Sequence, residues 1–178
     1  MNISVFCGSA VPGDSRITQA AETLGRRLAE GGHTLLYGGS NLGLMGVVSG
    51  AALKAGGQVV GVIPTLFSED IILSQPVTEL VRVASMAERK EYLITHSNAF
   101  IALPGGIGTL DEVLEVMVAN QLKQIDKPIA LYSPDGFFDS FILQIDRMGT
   151  EGFFRHGIRP SLLVSDSLEE ILTQTTHP

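Results

Sequence analysis

The chain has one cysteine, Cys7, among its 178 residues. A disulfide framework is therefore excluded, and a zinc site would lack thiolate partners. The four histidines, His33, His96, His156 and His177, show no metal-ligand spacing. Charged residues make up only 17% of the chain, and the twelve Lys and Arg are outnumbered by nineteen Asp and Glu. An acidic chain without a basic run has no electrostatic footprint for a nucleic-acid backbone. A small phosphate ligand stays compatible, because a local pocket can be positive on an acidic protein. No apolar run approaches the ~18 residues of a membrane span, and no signal-peptide pattern is found. We therefore expect no membrane partner, no nucleic-acid partner and a cytoplasmic location.

Familiar nucleotide fingerprints are absent too. There is no G-x-x-x-x-G-K-[ST] loop. The first apolar run is not followed by G-x-G-x-x-G. The second ends in Tyr37-Gly38, without the acid that grips a dinucleotide ribose. These gaps disfavour a P-loop NTPase and an NAD-dependent dehydrogenase. No local signature of a Ser-His-Asp triad appears, and Cys7, at the end of a buried strand, reads as an inert core thiol.

What is present is an alternation of short β-type runs with longer helical ones. Strands are expected at 3–7, 34–37, 59–63, 80–83, 99–103 and 128–131. Helices are expected at 17–30, 44–55, 85–97, 110–122, 137–148 and 168–173. Residues 64–78 read as irregular, bounded by Pro64 and Pro76. Strands rich in Val, Ile and Leu on both faces imply a parallel sheet covered on both sides. The expected fold is α/β: a single Rossmann-like, doubly wound domain over residues 1–178. Ligands in such folds sit beyond the carboxyl ends of the strands.

Two segments at those ends are dense in glycine and each opens a helix. One is Gly38-Gly39-Ser40-Asn41-Leu42-Gly43-Leu44-Met45-Gly46. The other is Pro104-Gly105-Gly106-Ile107-Gly108-Thr109. Glycine admits close approach of an anion, and the free amides of a first helical turn favour negative charge. The plainer alternative is that the glycines only make tight turns. Glu112 also has two readings. With Thr109 it fits a capping box, S/T-x-x-E; otherwise its carboxylate lies one turn from a bound phosphate. Asp111 reads as a solvated first-turn acid. Ser85 and Glu88 fit a second capping box. Arg89 and Lys90 follow it, either as a solvated helix face or as the cations that a phosphate or a departing base needs.

Together these residues resemble a known family. Pro104-Gly105-Gly106-Ile107-Gly108-Thr109-Leu110-Asp111-Glu112 matches the PGGxGTxxE motif of the LOG family, the cytokinin-activating phosphoribohydrolases, many of which carry the label lysine decarboxylase. Met86-Ala87-Glu88-Arg89-Lys90 resembles the family's M-x-x-R-K motif. The turn at Gly38–Gly46, Cys7-Gly8-Ser9, Lys127-Pro128-Ile129 and Asp135-Gly136-Phe137-Phe138 also resemble family segments. The resemblance implies hydrolysis of the N-glycosidic bond of a nucleoside 5′-monophosphate, AMP or isopentenyladenosine monophosphate, to free base and ribose 5-phosphate.

It further implies Arg89 and Glu112 as catalytic residues. Substrate and phosphate would be held by Gly8, Ser9, Gly38, Gly39, Gly43, Met45, Met86, Lys90, Gly105, Gly106, Gly108 and Thr109. Neither metal nor organic cofactor is implied, and the expected assembly is a homodimer. Departures occur at Ala87, where the family commonly has His, at Ala119 in place of a frequent Trp, and at Ile107 in place of a frequent aromatic. The alternative is a nucleotide or molybdenum-cofactor carrier of the same superfamily, which would bind without hydrolysis. A pyridoxal-phosphate decarboxylase is disfavoured by the chain's length and by the lack of an evident Schiff-base lysine. Apolar residues around much of helices 44–55 and 110–122 (Leu110, Val113, Leu114 and Met117 on one face of the latter, with Val116 and Val118 beyond it) suggest burial on several sides.

Overall fold

A computed structural model describes residues 1–67, 77–154 and 162–176. The elements run β1 (Asn2–Phe6), α1 (Ser15–Glu30), β2 (Thr34–Tyr37), α2 (Gly43–Lys54), β3 (Gln58–Pro64), β4 (Glu79–Val83) and α3 (Met86–His96). They continue with β5 (Ala99–Ala102), α4 (Ile107–Gln121), β6 (Ile129–Tyr132), α5 (Asp139–Thr150), β7 (Leu163–Ser165) and α6 (Leu168–Thr176). All seven strands are parallel, in the order β4-β3-β2-β1-β5-β6-β7.

The period-two geometry of strands sends alternate side chains to opposite faces, and each face collects its own core. Ile3, Val5, Leu35, Tyr37, Val59, Ala99, Ile101 and Leu103 meet α1, α2 and α6. Phe6, Leu36, Val62, Phe100, Ala102, Ile129 and Leu131 meet α3, α4 and α5. Strands apolar on both faces are thus explained by helices on both faces. The all-round apolar character of α2 has the same cause: Leu44, Met45, Val48, Ala51 and Ala52 are buried within the protomer. It needs no partner subunit.

The sheet order places a switch between β1 and β5. The chain leaves β1 in one direction to β2, β3 and β4. It then returns to lay β5 on the other side of β1. Loops diverge there and leave a crevice. Backbone bonds fix its floor: the Gly8 amide donates to the Pro104 carbonyl (3.3 Å), and the Leu44 amide donates to the Gly8 carbonyl (3.0 Å). The turns after β1, β2 and β5 are therefore one connected surface.

Several expectations are corrected. A seventh strand, β7, pairs with β6 through Ala130–Leu163, Leu131–Val164 and Tyr132–Ser165; three residues are too few to carry a period-two signal. Helix α4 begins at Ile107, three residues before Leu110, because Gly106 serves as its N-cap. That shift removes the Thr109–Glu112 capping box. Thr109 lies inside the helix, and the N-cap has no side-chain bond. The Ser85–Glu88 box does form, with the Glu88 amide donating to Ser85 Oγ (3.1 Å). Its return bond comes from the Ala84 amide to Glu88 Oε2 (2.9 Å). Helix α5 starts at Asp139, not Phe137, after a short 3₁₀ turn at Pro134–Gly136. Of the stretch expected to be irregular, residues 68–76 lie outside the described residues; Pro64 closes β3.

Candidate active site

A cleft of about 420 Å³ opens at the β1/β5 switch. Its lining comes from several strand ends and three helices: Cys7, Gly8 and Ser9 after β1; Gly38, Ser40 and Leu42 in the turn after β2, with Met45 on α2; Ile63 in β3 and Phe67 just beyond it; Met86 and Arg89 on α3; and Gly106, the N-cap of α4, with Ile107, Gly108, Thr109, Asp111 and Glu112 on that helix. The volume lies in the ~300–1,000 Å³ range of small-ligand sites.

Its charged centre is an ion pair. Arg89 Nη2 lies 2.5 Å from Glu112 Oε1, with side chains only 11% and 9% exposed. Arg89 is thus no solvated helix residue. Arg89 Nη1 is 3.8 Å from Met86 Sδ, and Arg89 Nε is buried with no hydrogen-bond partner among the described residues. Burial pushes the Glu112 carboxyl above its ordinary range, and the Arg89 guanidinium pulls it back. Cys7 borders the same cleft; burial first, and the nearby Glu112 charge second, push its thiol far above the usual range. It is an inert wall group.

The glycines divide into two kinds. A Cβ on Gly38 would sit 2.6 Å from Arg89 Nη2 and 2.9 Å from its Cζ. Gly38 therefore provides the notch in which the guanidinium lies. Gly39, at φ +74°, packs against Ile63 and Val62, and Gly43, at φ +56°, packs against the Ser9–Ala10 backbone. Gly105 is pressed against Thr109 and Gly8. By contrast, a Cβ on Gly106 or Gly108 would meet no heavy atom within 4 Å. The amides of Ile107 and Gly108 open α4 and have no carbonyl behind them in the helix. That open first turn is the part of the surface that suits an anion.

The cleft gathers Gly8, Ser9, Gly38, Met45, Met86, Arg89, Gly106, Gly108, Thr109 and Glu112 of the expected residues. Gly39, Gly43 and Gly105 lie behind it as packing residues. Lys90 is not in the lining either: its Nζ reaches Asp111 Oδ2 (2.9 Å) and Glu115 Oε2 (2.5 Å). Asp111 is exposed, but with α4 starting at Ile107 it falls in the second turn, not the first, and it is paired with Lys90. Sequence reasoning passes over Ser40, Leu42, Ile63 and Phe67 as wall residues. Ser40 and Leu42 at least sit inside a glycine turn that stands out. Ile63 and Phe67 carry no local signal; the place of β3 in the sheet, between β2 and β4, brings them to the cleft.

The chain is similar to proteins already known. A family profile described as "Possible lysine decarboxylase" matches residues 45–175. The cytokinin riboside 5′-monophosphate phosphoribohydrolase LOG of Oryza sativa subsp. japonica is 41% identical over 170 residues, covering 96% of this chain and 70% of its own. LOG4 of Arabidopsis thaliana, a protein of the same description, is 41% identical over 96% of this chain and 79% of its own. The chain belongs to the LOG family. Among solved structures, the molybdenum cofactor binding protein of Rippkaea orientalis has a TM-score of 0.73 at 22% identity, over 98% of this chain and 94% of its own. A molybdenum cofactor carrier protein of Chlamydomonas reinhardtii has a TM-score of 0.71 at 23% identity, over 98% and 95%. These two share the Rossmann-like fold with this LOG-family chain, and at such identity the likeness speaks to fold alone. Outside the cleft, a LOG-like segment also has a structural use: Lys127 Nζ donates to the Ile94 and Thr95 carbonyls at 2.7 and 3.1 Å, capping the end of α3.

Proposed function

We propose that this protein hydrolyses the N-glycosidic bond of a nucleoside 5′-monophosphate, releasing a free base and ribose 5-phosphate. The observation that carries the reading is the buried Arg89–Glu112 pair, set beside the open first turn of α4 in one cleft. The phosphate docks on the amides around Gly106–Thr109, where the helix dipole favours an anion. That anchorage supplies remote binding energy for positioning the sugar. The ionised Glu112 faces the ribose, stabilises the oxocarbenium-like charge that grows at C1′, and orients the attacking water. Water adds its oxygen to C1′ and its proton to the departing base. Arg89, whose Nε has no hydrogen-bond partner among the described residues, assists that departure or fixes the nucleotide. Leu42, Ile63, Phe67 and Met86 give the cleft an apolar wall suited to a base, including one with an apolar N6 substituent.

The assay is direct: AMP and isopentenyladenosine monophosphate are incubated with the protein, and free base and ribose 5-phosphate are measured. Product from at least one substrate, lost in Glu112→Gln, is expected. Saturable nucleotide binding without turnover would support a carrier instead.

We also infer a homodimer. Helix α4 leaves Ile107, Leu114, Val118 and Leu122 exposed at 87, 39, 48 and 55%, on one face. Val113, Val116 and Met117 face the core, so this stripe is left over after the protomer has folded. Ile107 also borders the cleft, which puts the interface beside the site. Light scattering should give twice 19.0 kDa; a monomeric mass would refute it.

A further inference from the structure

Two consecutive cations on α3 grip three acids on α4. Arg89 holds Glu112, while Lys90 lies between Asp111 and Glu115, one helical turn apart on the neighbouring strip of the helix. The Lys90 side chain is 18% exposed. It is therefore well removed from solvent, yet it does not line the cleft. Two anions thus flank Glu112 along its own helix, and one cation beside Arg89 faces both.

We propose that Lys90 is a positioning residue: by binding Asp111 and Glu115 it fastens the start of α4 to α3 and cancels the two charges that flank Glu112, so that Arg89 alone governs the reacting carboxylate. The inference rests on the hydrolase reading for its catalytic consequence and assigns Lys90 no contact with the nucleotide. Among the described residues, the titratable or charged groups around Glu112 are Arg89 and Lys90 from α3, Cys7 from the end of β1, and Asp111 on α4, with Glu115 a turn further along. Electrostatics agree in direction. Asp111 raises the proton affinity of Glu112 and Lys90 lowers it, after the larger effects of burial and Arg89. Lys90 itself is held above its ordinary value by Glu115 first and Asp111 second.

The test compares the wild type with Lys90→Met, Lys90→Arg and a triple variant, Lys90→Met with Asp111→Asn and Glu115→Gln. Two quantities are read: kcat and KM against pH, and the Glu112 carboxyl titration by carbon NMR, with its resonance assigned through Glu112→Gln. In Lys90→Met the carboxyl should titrate at higher pH than in the wild type. Its kcat on the acidic limb should be about threefold lower, as expected for loss of one nearby partly screened charge. KM should stay within about twofold of wild type. Lys90→Arg, and the triple variant that removes the acids together with the cation, should restore the wild-type titration. A KM raised about tenfold at every pH, with the limb in place, would overturn the proposal in favour of a substrate contact. An unmoved carboxyl titration in Lys90→Met would overturn it as well. If Lys90→Met fails to fold, the triple variant decides: it must fold and titrate as the wild type does. The carboxyl titration needs no turnover, so loss of the hydrolase reading and loss of this inference are seen separately.

Discussion

Two glycine-rich turns lie side by side at the same edge of the sheet, and they are built for different purposes. The turn after β2, Gly38–Gly46, spends its glycines on packing. Gly38 makes room for Arg89, Gly39 lies against β3, Gly43 lies against the Ser9–Ala10 backbone, and Gly46 lies under the Asn41 carbonyl. The turn after β5 presses only Gly105 against its neighbours and leaves Gly106 and Gly108 facing open space. In sequence both look like phosphate cradles. In space one makes room for the Arg89–Glu112 pair and the other leaves its amides open. A glycine count therefore finds the edge that carries the cleft but not the division of labour along it.

That contrast can be broken by substitution. The largest expected effect belongs to the helix that the open turn begins. Glu112→Gln should lower kcat by ~100-fold or more while circular dichroism stays native, since it removes preorganised charge stabilisation. For the wild type, burial holds the Glu112 carboxyl above its ordinary range. In the proposed mechanism the ionised form is the active one, so kcat should rise with pH through a midpoint above that range and fall below it. This acidic limb should vanish in Glu112→Gln.

The packing turn should answer in stability. Gly43 has φ +56°, and an added Cβ would sit 2.5 Å from the Ala10 amide nitrogen. Gly43→Ala should cost about 3 kcal/mol in urea denaturation, from left-handed strain plus overpacking. The open turn should answer in binding. Gly108→Ala meets no clash and gains helix propensity, so its stability should change by less than about 1 kcal/mol. Its methyl group would stand over the anion-facing amides, and KM for the nucleotide should rise about tenfold, the equivalent of one lost hydrogen bond to a charged group. Equal stability losses at Gly43 and Gly108 would erase the distinction. The smallest effect concerns the wall thiol. Burial raises the Cys7 proton affinity, so iodoacetamide at pH 8 should leave it unmodified in the native protein and label it after unfolding.

Much of this was legible in the sequence because the signals were local. Periodicity and glycine stops located six strands and six helices, and apolar residues on both strand faces gave the doubly wound sheet. The Met86–Lys90 and Pro104–Glu112 segments both bring residues to the cleft. What stayed hidden depended on distant partners. The capping box of Thr109 and Glu112 is a valid local pattern, yet Gly106 starts the helix earlier and Arg89, 23 residues away in the chain, takes the carboxylate. The ion pairs of Lys90 are equally hidden, because nothing local shows that Asp111 and Glu115 lie opposite it. Phe67 borders the cleft because of where the sheet places the end of β3.

In the proposed reaction the open turn anchors a phosphate while Glu112 acts on the sugar next to it. The most direct measurement is kcat/KM for base release from isopentenyladenosine monophosphate and AMP, against the same two nucleosides without the phosphate. Remote binding energy predicts that removing the phosphate lowers kcat/KM by at least about a hundredfold, with part of the loss in kcat. Equal values for nucleotide and nucleoside would contradict the account.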